Sequence, residues 1–169
     1  MIPRSSVTPP KPDKPSTVLT VNLRHEDGVS LGCILGGSNW ILTEVSNCRE
    51  ALAYSRFQPV SVVVCGPLMP DGSWNTLLHG LGDVPDAPAL IVVSRFADEH
   101  LWAEVLNLGG YDVLATPFDT NEVLRVLYLA SKAHERDLKR KPSVAATSAP
   151  VQRGSSPVPK QMSASGGAD

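Results

Sequence analysis

Recognisable catalytic equipment is what this sequence has least of. Its three cysteines, Cys33, Cys48 and Cys65, show no CxxC spacing and are odd in number. Such a set supplies neither a zinc framework nor a disulfide framework and fits reduced, buried small hydrophobes. The four histidines, His25, His79, His100 and His134, are scattered without metal spacing or a His/Asp/Ser constellation, which suits surface positions. Gly36-Gly37 lacks the GxGxxG spacing that would seat a pyrophosphate on a helix N-terminus, and no GxSxG elbow occurs. No apolar run is long enough to span a bilayer, and no charged-then-apolar start resembles a signal peptide. The expectation is therefore a cytoplasmic, non-enzymatic protein with no cofactor, no metal and no membrane partner.

Positive charge is also scarce. The net charge of −2 hides an uneven distribution: −8 between residues 18 and 138, +2 before and +4 after. Basic ends this thin do not support nucleic-acid binding. They do allow the Lys139-Arg140-Lys141 cluster to lie transiently against the acidic body, screened over about 8 Å at physiological salt.

The 169 residues and 18.0 kDa suffice for one domain of ordinary size. Residues 1–17 hold five prolines and no apolar period, which reads as a disordered leader. From Pro142 onward 18 of 28 residues are Pro, Ser, Gly or Ala, too little apolar surface to offset ordering entropy. The expected organisation is a leader over 1–17, a domain over 18–138, and a basic then Ser/Pro/Gly/Ala-rich tail over 139–169.

Within the domain, strand and helix patterns alternate. Val60–Val64, ending at Cys65-Gly66-Pro67, reads as a central strand buried on both faces. Val18–Val21, Trp40–Val45, Ala89–Ser94 and Tyr111–Leu114 read as the other strands. The spacing predicts helices over Glu26–Leu35, Arg49–Phe57 with Asn47 as N-cap, and Trp74–Leu81. A further helix follows Asp98, with Leu101, Val105 and Leu108 at i, i+4 and i+7, ended by Gly109-Gly110. The last follows Asp119, with Glu122 three residues on, and carries Val123, Leu127 and Ala130 on one face. Five strand–helix repeats imply a five-stranded parallel sheet, doubly wound and flavodoxin-like, in the order 2-1-3-4-5. In such a sheet, ligands gather at the carboxyl ends of the central strands.

From Val18 to about His134 the chain resembles a response-regulator receiver domain, the phosphoacceptor module of two-component signalling. The resemblance rests on Arg49-Glu50-Ala51-Leu52, on Met69-Pro70-Asp71-Gly72, and on Leu114-Ala115-Thr116-Pro117-Phe118-Asp119 with Glu122-Val123-Leu124. It implies a cis Thr116–Pro117 bond. Receivers phosphorylate themselves with an acidic pair that binds Mg²⁺, an Asp that attacks phosphorus, a Thr or Ser, and a Lys. Here the acidic pair falls on Asn22 and Leu23, the phosphoacceptor on Gly66 and the lysine on Thr116; Ser94 alone keeps the expected chemistry. The aromatic switch position falls on Val113. Glu26, Asp27 and Asp71 fall where the alignment needs no ligand. The resemblance is therefore to a degenerate receiver, or pseudo-receiver, lacking the phosphoacceptor Asp.

Two residues invite sharper readings. Cys65 stands beside the lost acceptor, but no Lys, Arg or His flanks it to lower its pKa, and a buried structural thiol is expected. Ser94 is expected to satisfy local backbone as a polar strand end. Trp74 and Trp102 fall on helices that border the pocket in the alignment. The output surface of receivers carries over onto Trp102, Tyr111, Leu124 and Tyr128, with Val113 beside them.

The function expected from the resemblance is a non-catalytic module of phosphorelay signalling, acting by protein–protein contact. Its partner would be a histidine kinase, an output protein or another receiver. The alternative is a small-molecule-binding module that uses the vacated pocket around Asn22, Gly66, Ser94 and Thr116. Residual phosphorylation on another side chain is a third possibility.

Overall fold

Runs of valine, leucine and isoleucine alternate with amphipathic stretches throughout the computed structural model, which describes residues 10–141. The leader up to residue 9 and the tail from residue 142 lie outside the described residues. In chain order the elements are β1 (Ser16–Val21), α1 (His25–Leu35), β2 (Trp40–Val45), α2 (Cys48–Phe57) and β3 (Val62–Cys65). They continue with β4 (Leu68–Met69), β5 (Gly72–Ser73), α3 (Trp74–Gly82) and β6 (Ala89–Ser94). The last three are α4 (Glu99–Leu108), β7 (Asp112–Ala115) and α5 (Thr120–Arg140).

The five long strands form one parallel sheet in the order β2-β1-β3-β6-β7. Counting long strands alone, that is the expected order 2-1-3-4-5. Side-chain alternation then splits the central strands between two faces. Val63 and Cys65 join Leu19, Leu90 and Val92 beneath Ala51, Trp74, Leu77, Leu81 and Val105 of α2, α3 and α4. Val62 and Val64 join Val18, Ile91, Val93 and Leu114 beneath Leu31 of α1 and Val123, Leu127 and Ala130 of α5. Each fully buried Leu or Val contributes about 1.5–3 kcal/mol relative to exposure, so burial on both faces is what orders β3.

Helix boundaries follow local chemistry. The side chains of Asn47, Asp98 and Asp119 accept from the backbone N–H of Glu50, Leu101 and Glu122 at 2.9, 2.8 and 2.9 Å. Gly109 ends α4 in the left-handed region, at φ 104°, where a side chain would be strained. The Thr116–Pro117 bond is cis.

Several local expectations shift. β1 opens at Ser16, two residues early, because the Ser16 N–H reaches Asn39 O at 3.0 Å and Thr17 O receives the Ser61 N–H. The turn at Pro70-Asp71 closes a small antiparallel hairpin, β4–β5. Leu108 is 51% exposed; α4 has Val105 as its buried residue, with Leu101 packed beside it. Cys48 and Cys65 are buried as expected, whereas Cys33 is exposed on α1. His134 is buried, since the α5 face that carries Val123, Leu127 and Ala130 continues onto it one turn later.

Candidate functional site

Strand ends build the site. Parallel register sets Val21 beside Cys65, Cys65 beside Val92, and Ser94 beside Ala115. The residues that follow these ends are carried to one edge of the sheet: Asn22 and Leu23 after β1, Gly66 after β3, and Thr116 after β7, with Ser94 closing β6. All five line one cavity of about 290 Å³. The fold thus brings together every pocket position expected from the sequence.

Hydrogen bonds fix most of this wall. Asn22 takes a left-handed backbone (φ 47°), a conformation asparagine tolerates better than most residues. Its N–H donates to Val45 O at 3.0 Å, and its Nδ2 donates to Leu68 O at 3.3 Å. Ser94 Oγ accepts from the Phe96 N–H at 3.0 Å, which leaves the serine hydroxyl proton to donate elsewhere. Ser94 O accepts from the Thr116 N–H at 3.2 Å. Thr116 Oγ1 is buried with no hydrogen-bond partner. Gly66 is buried, and a Cβ built on it would stand 3.5 Å from Asn22 O, an ordinary contact. Glycine is therefore not forced at this position by space or by φ.

Further lining residues went unnoticed in the sequence. Arg24, Arg95, Leu68 and Phe96 all stand in the cavity wall, together with Asp27, which the receiver alignment sets aside. Asp27 thus borders the site, although the alignment places no ligand there. Arg95 also pairs with Glu26 at 3.3 Å, an exposed contact worth about 0–1 kcal/mol. Arg95 and Phe96 directly follow the strand ALIVVS, and a residue just past a central strand end is the available signal for such a position. The donor set does not suit Mg²⁺: Asp27 is the one carboxylate among the lining residues, and two arginines share the wall.

Other expected residues lie elsewhere. Asp71 turns away from the cavity to α2, where burial pushes the Cys48 thiol up to about 11 with the Asp71 carboxylate adding to the rise. Trp74 is buried in the core beneath α2, α3 and α4, away from the cavity. Trp102 is 50% exposed on α4, and its Nε1–H donates to Asp112 Oδ1 at 3.0 Å. Tyr111 and Tyr128 are half-buried against the core under α1 and α5, with Lys132 Nζ 5.7 Å from the Tyr128 ring centre. Val113 and Leu124 are 8% and 6% exposed, so neither presents area to a partner. Their strand and helix faces point into the two cores. No helix of the described residues is long and apolar enough to cross a membrane.

No protein-family profile matches the chain. Over 112 residues, 66% of this chain and 47% of the relative, it is 31% identical to the probable transcriptional regulatory protein TcrX of Mycobacterium tuberculosis. The chain therefore spans about half the length of that curated relative. Among solved structures it is similar to the signal receiver domain of an HD domain-containing protein from Pseudomonas fluorescens Pf-5. That match has a TM-score of 0.67 and 22% identity, covering 78% of this chain and 97% of that one. It is also similar to the receiver domain of a sensor histidine kinase from Pseudomonas aeruginosa PAO1, a structure with magnesium in its active-site cleft. There the TM-score is 0.60 at 17% identity, over 69% of this chain and 98% of the other. The architecture of this chain is thus the flavodoxin-like α/β fold of response-regulator receiver domains.

Proposed function

We propose that this chain is a pseudo-receiver: a cytoplasmic, non-enzymatic module of two-component signalling that works by protein contact, without phosphorylation of an aspartate. One observation carries the reading. At the end of β3, in the cavity where a receiver's acceptor would stand, the residue is Gly66, with Asn22 and Leu23 beside it in place of an acidic pair. Attack on phosphorus needs a nucleophile, and Mg²⁺ needs carboxylate oxygens; these positions offer neither. A protein partner — a histidine kinase, an output protein or another receiver — would meet the α4 and α5 side. Trp102 is exposed there, and Tyr111 and Tyr128 are partly so.

The test is acetyl phosphate or beryllofluoride with Mg²⁺, followed by amide NMR. The reading expects no Mg²⁺-dependent change in the spectra. Mg²⁺-dependent shifts clustered at Gly66, Ser94 and Thr116 would overturn it.

A second reading has its own support: the vacated pocket binds a small molecule. The support is a cleft of about 290 Å³ at the strand ends, lined by apolar side chains and by Ser94, whose hydroxyl proton is free to donate.

A further inference from the structure

Two features of the cavity, absent from the sequence comparison, narrow what it would hold. Its lining residues include two arginines, Arg24 and Arg95, against one acidic residue, Asp27. Its rim carries two large apolar side chains left in water, Leu68 at 73% and Phe96 at 84% exposure. Leu23, Pro67 and Val93 continue that apolar surface inward.

Resting on the small-molecule reading above, we infer that the cavity binds a small organic carboxylate with an apolar body, its carboxylate at Arg95 and its body between Leu68 and Phe96. A carboxylate is planar and takes two parallel N–H donors from a guanidinium. One Arg95 Nη already contacts a carboxylate, that of Glu26, at 3.3 Å. Glu26 is 81% exposed and its contact is screened by solvent, so an incoming carboxylate can replace it. Among the described residues Arg24 forms no ion pair. The remaining lone pairs find one hydroxyl donor, Ser94, whose oxygen is used but whose proton is free.

The apolar half of the ligand follows from exposure. Leu68 in β4, shortly after β3, and Phe96, just after β6, both line this cavity. A flat hydrocarbon body placed between them would withdraw both from water. An inorganic anion would leave them exposed, and an uncharged hydrocarbon would leave Arg95 on Glu26.

The experiment titrates the ¹⁵N-labelled full chain with three probes: sodium benzoate, benzyl alcohol and inorganic phosphate. Each titration is repeated on Arg95→Gln, a substitution at an exposed residue that spares the core. The inference expects saturable benzoate shifts at Gly66, Ser94, Arg95 and Thr116, at least tenfold weaker binding of benzyl alcohol and phosphate, and loss of benzoate binding in R95Q. Equal binding of benzyl alcohol overturns the carboxylate assignment while leaving a small-molecule pocket. Equal binding of phosphate overturns the apolar assignment. Shifts from none of the probes overturn both this inference and the small-molecule reading.

Discussion

The carboxylate of Asp71 accepts hydrogen bonds from the backbone N–H groups of both Cys48, at 2.8 Å, and Arg49, at 3.0 Å. A residue at the tip of the β4–β5 hairpin thus caps the N-terminus of α2, which Asn47 also caps. These two backbone donors hold the Asp71 carboxyl below the usual carboxylate range, since they favour its charged form. Its folded pKa lies under its unfolded value near 3.9, so the stabilisation is fully present above that value. It fades as pH falls through the folded pKa. Urea midpoints of the wild type and Asp71→Asn should differ at pH 6 and converge on acidification; a constant difference would refute the assignment.

Placing an aspartate at position 66 alone should not confer phosphorylation. Gly66→Asp has room for its Cβ, 3.5 Å from Asn22 O, so the variant should fold. With Asn22 and Leu23 unchanged it still lacks the oxygen ligands Mg²⁺ requires. Radiolabelled acetyl phosphate should leave G66D unlabelled. Stoichiometric label on this single variant would show that neighbouring groups complete the site.

The thiols should separate by accessibility. Cys33 is exposed, whereas Cys48 and Cys65 are buried. Burial pushes the Cys48 thiol up to about 11 and the Cys65 thiol further still, which removes the reactive thiolate at neutral pH. Iodoacetamide should alkylate one thiol rapidly in the native protein and all three in urea. Cys33→Ser should abolish the fast phase, and a second fast thiol would contradict the packing.

His134 gives a second pH dependence of known sign. Burial lowers its pKa; the Ala87 carbonyl, 3.1 Å from Nδ1, and the charges of Asp86 and Asp137 oppose this, while Lys141 adds to it. A histidine whose folded pKa is depressed destabilises the fold once the unfolded chain takes up a proton. Stability should therefore be full above about pH 6.5 and decline as pH falls toward the folded pKa. His134→Gln should flatten the change in urea midpoint between pH 8 and pH 5.5. An undiminished change would assign it to other groups.

Adjacent glycines should fail for different reasons. Gly109→Ala places a side chain at φ 104°, at a cost of about 1–2 kcal/mol. Gly110→Ala drives a Cβ into the Val105 side chain and to 2.9 Å from Val105 O. Overpacking of this kind costs about 1–3 kcal/mol. Both should lower the urea midpoint, and only the G110A loss should be partly relieved by Val105→Ala in a double-mutant cycle.

The sequence by itself determined the strands and three helix caps, because those features rest on local chemistry; the alternation of strand and helix then implied the sheet order. Runs of valine, an Asn or Asp before three of the five helices, and Gly109 after one act over a few residues. With the receiver resemblance, it also located the pocket positions Asn22, Leu23, Gly66, Ser94 and Thr116. Their neighbours were decided only by tertiary structure. Arg24, Arg95, Leu68 and Phe96 meet because four strands end at one edge, and nothing local marks a residue as facing another segment. The same holds for Asp71, whose partners lie more than twenty positions earlier. Burial was likewise a tertiary decision. Val113 and Leu124 face the cores while Trp102 faces water, because sheet register and helix rotation assign each face.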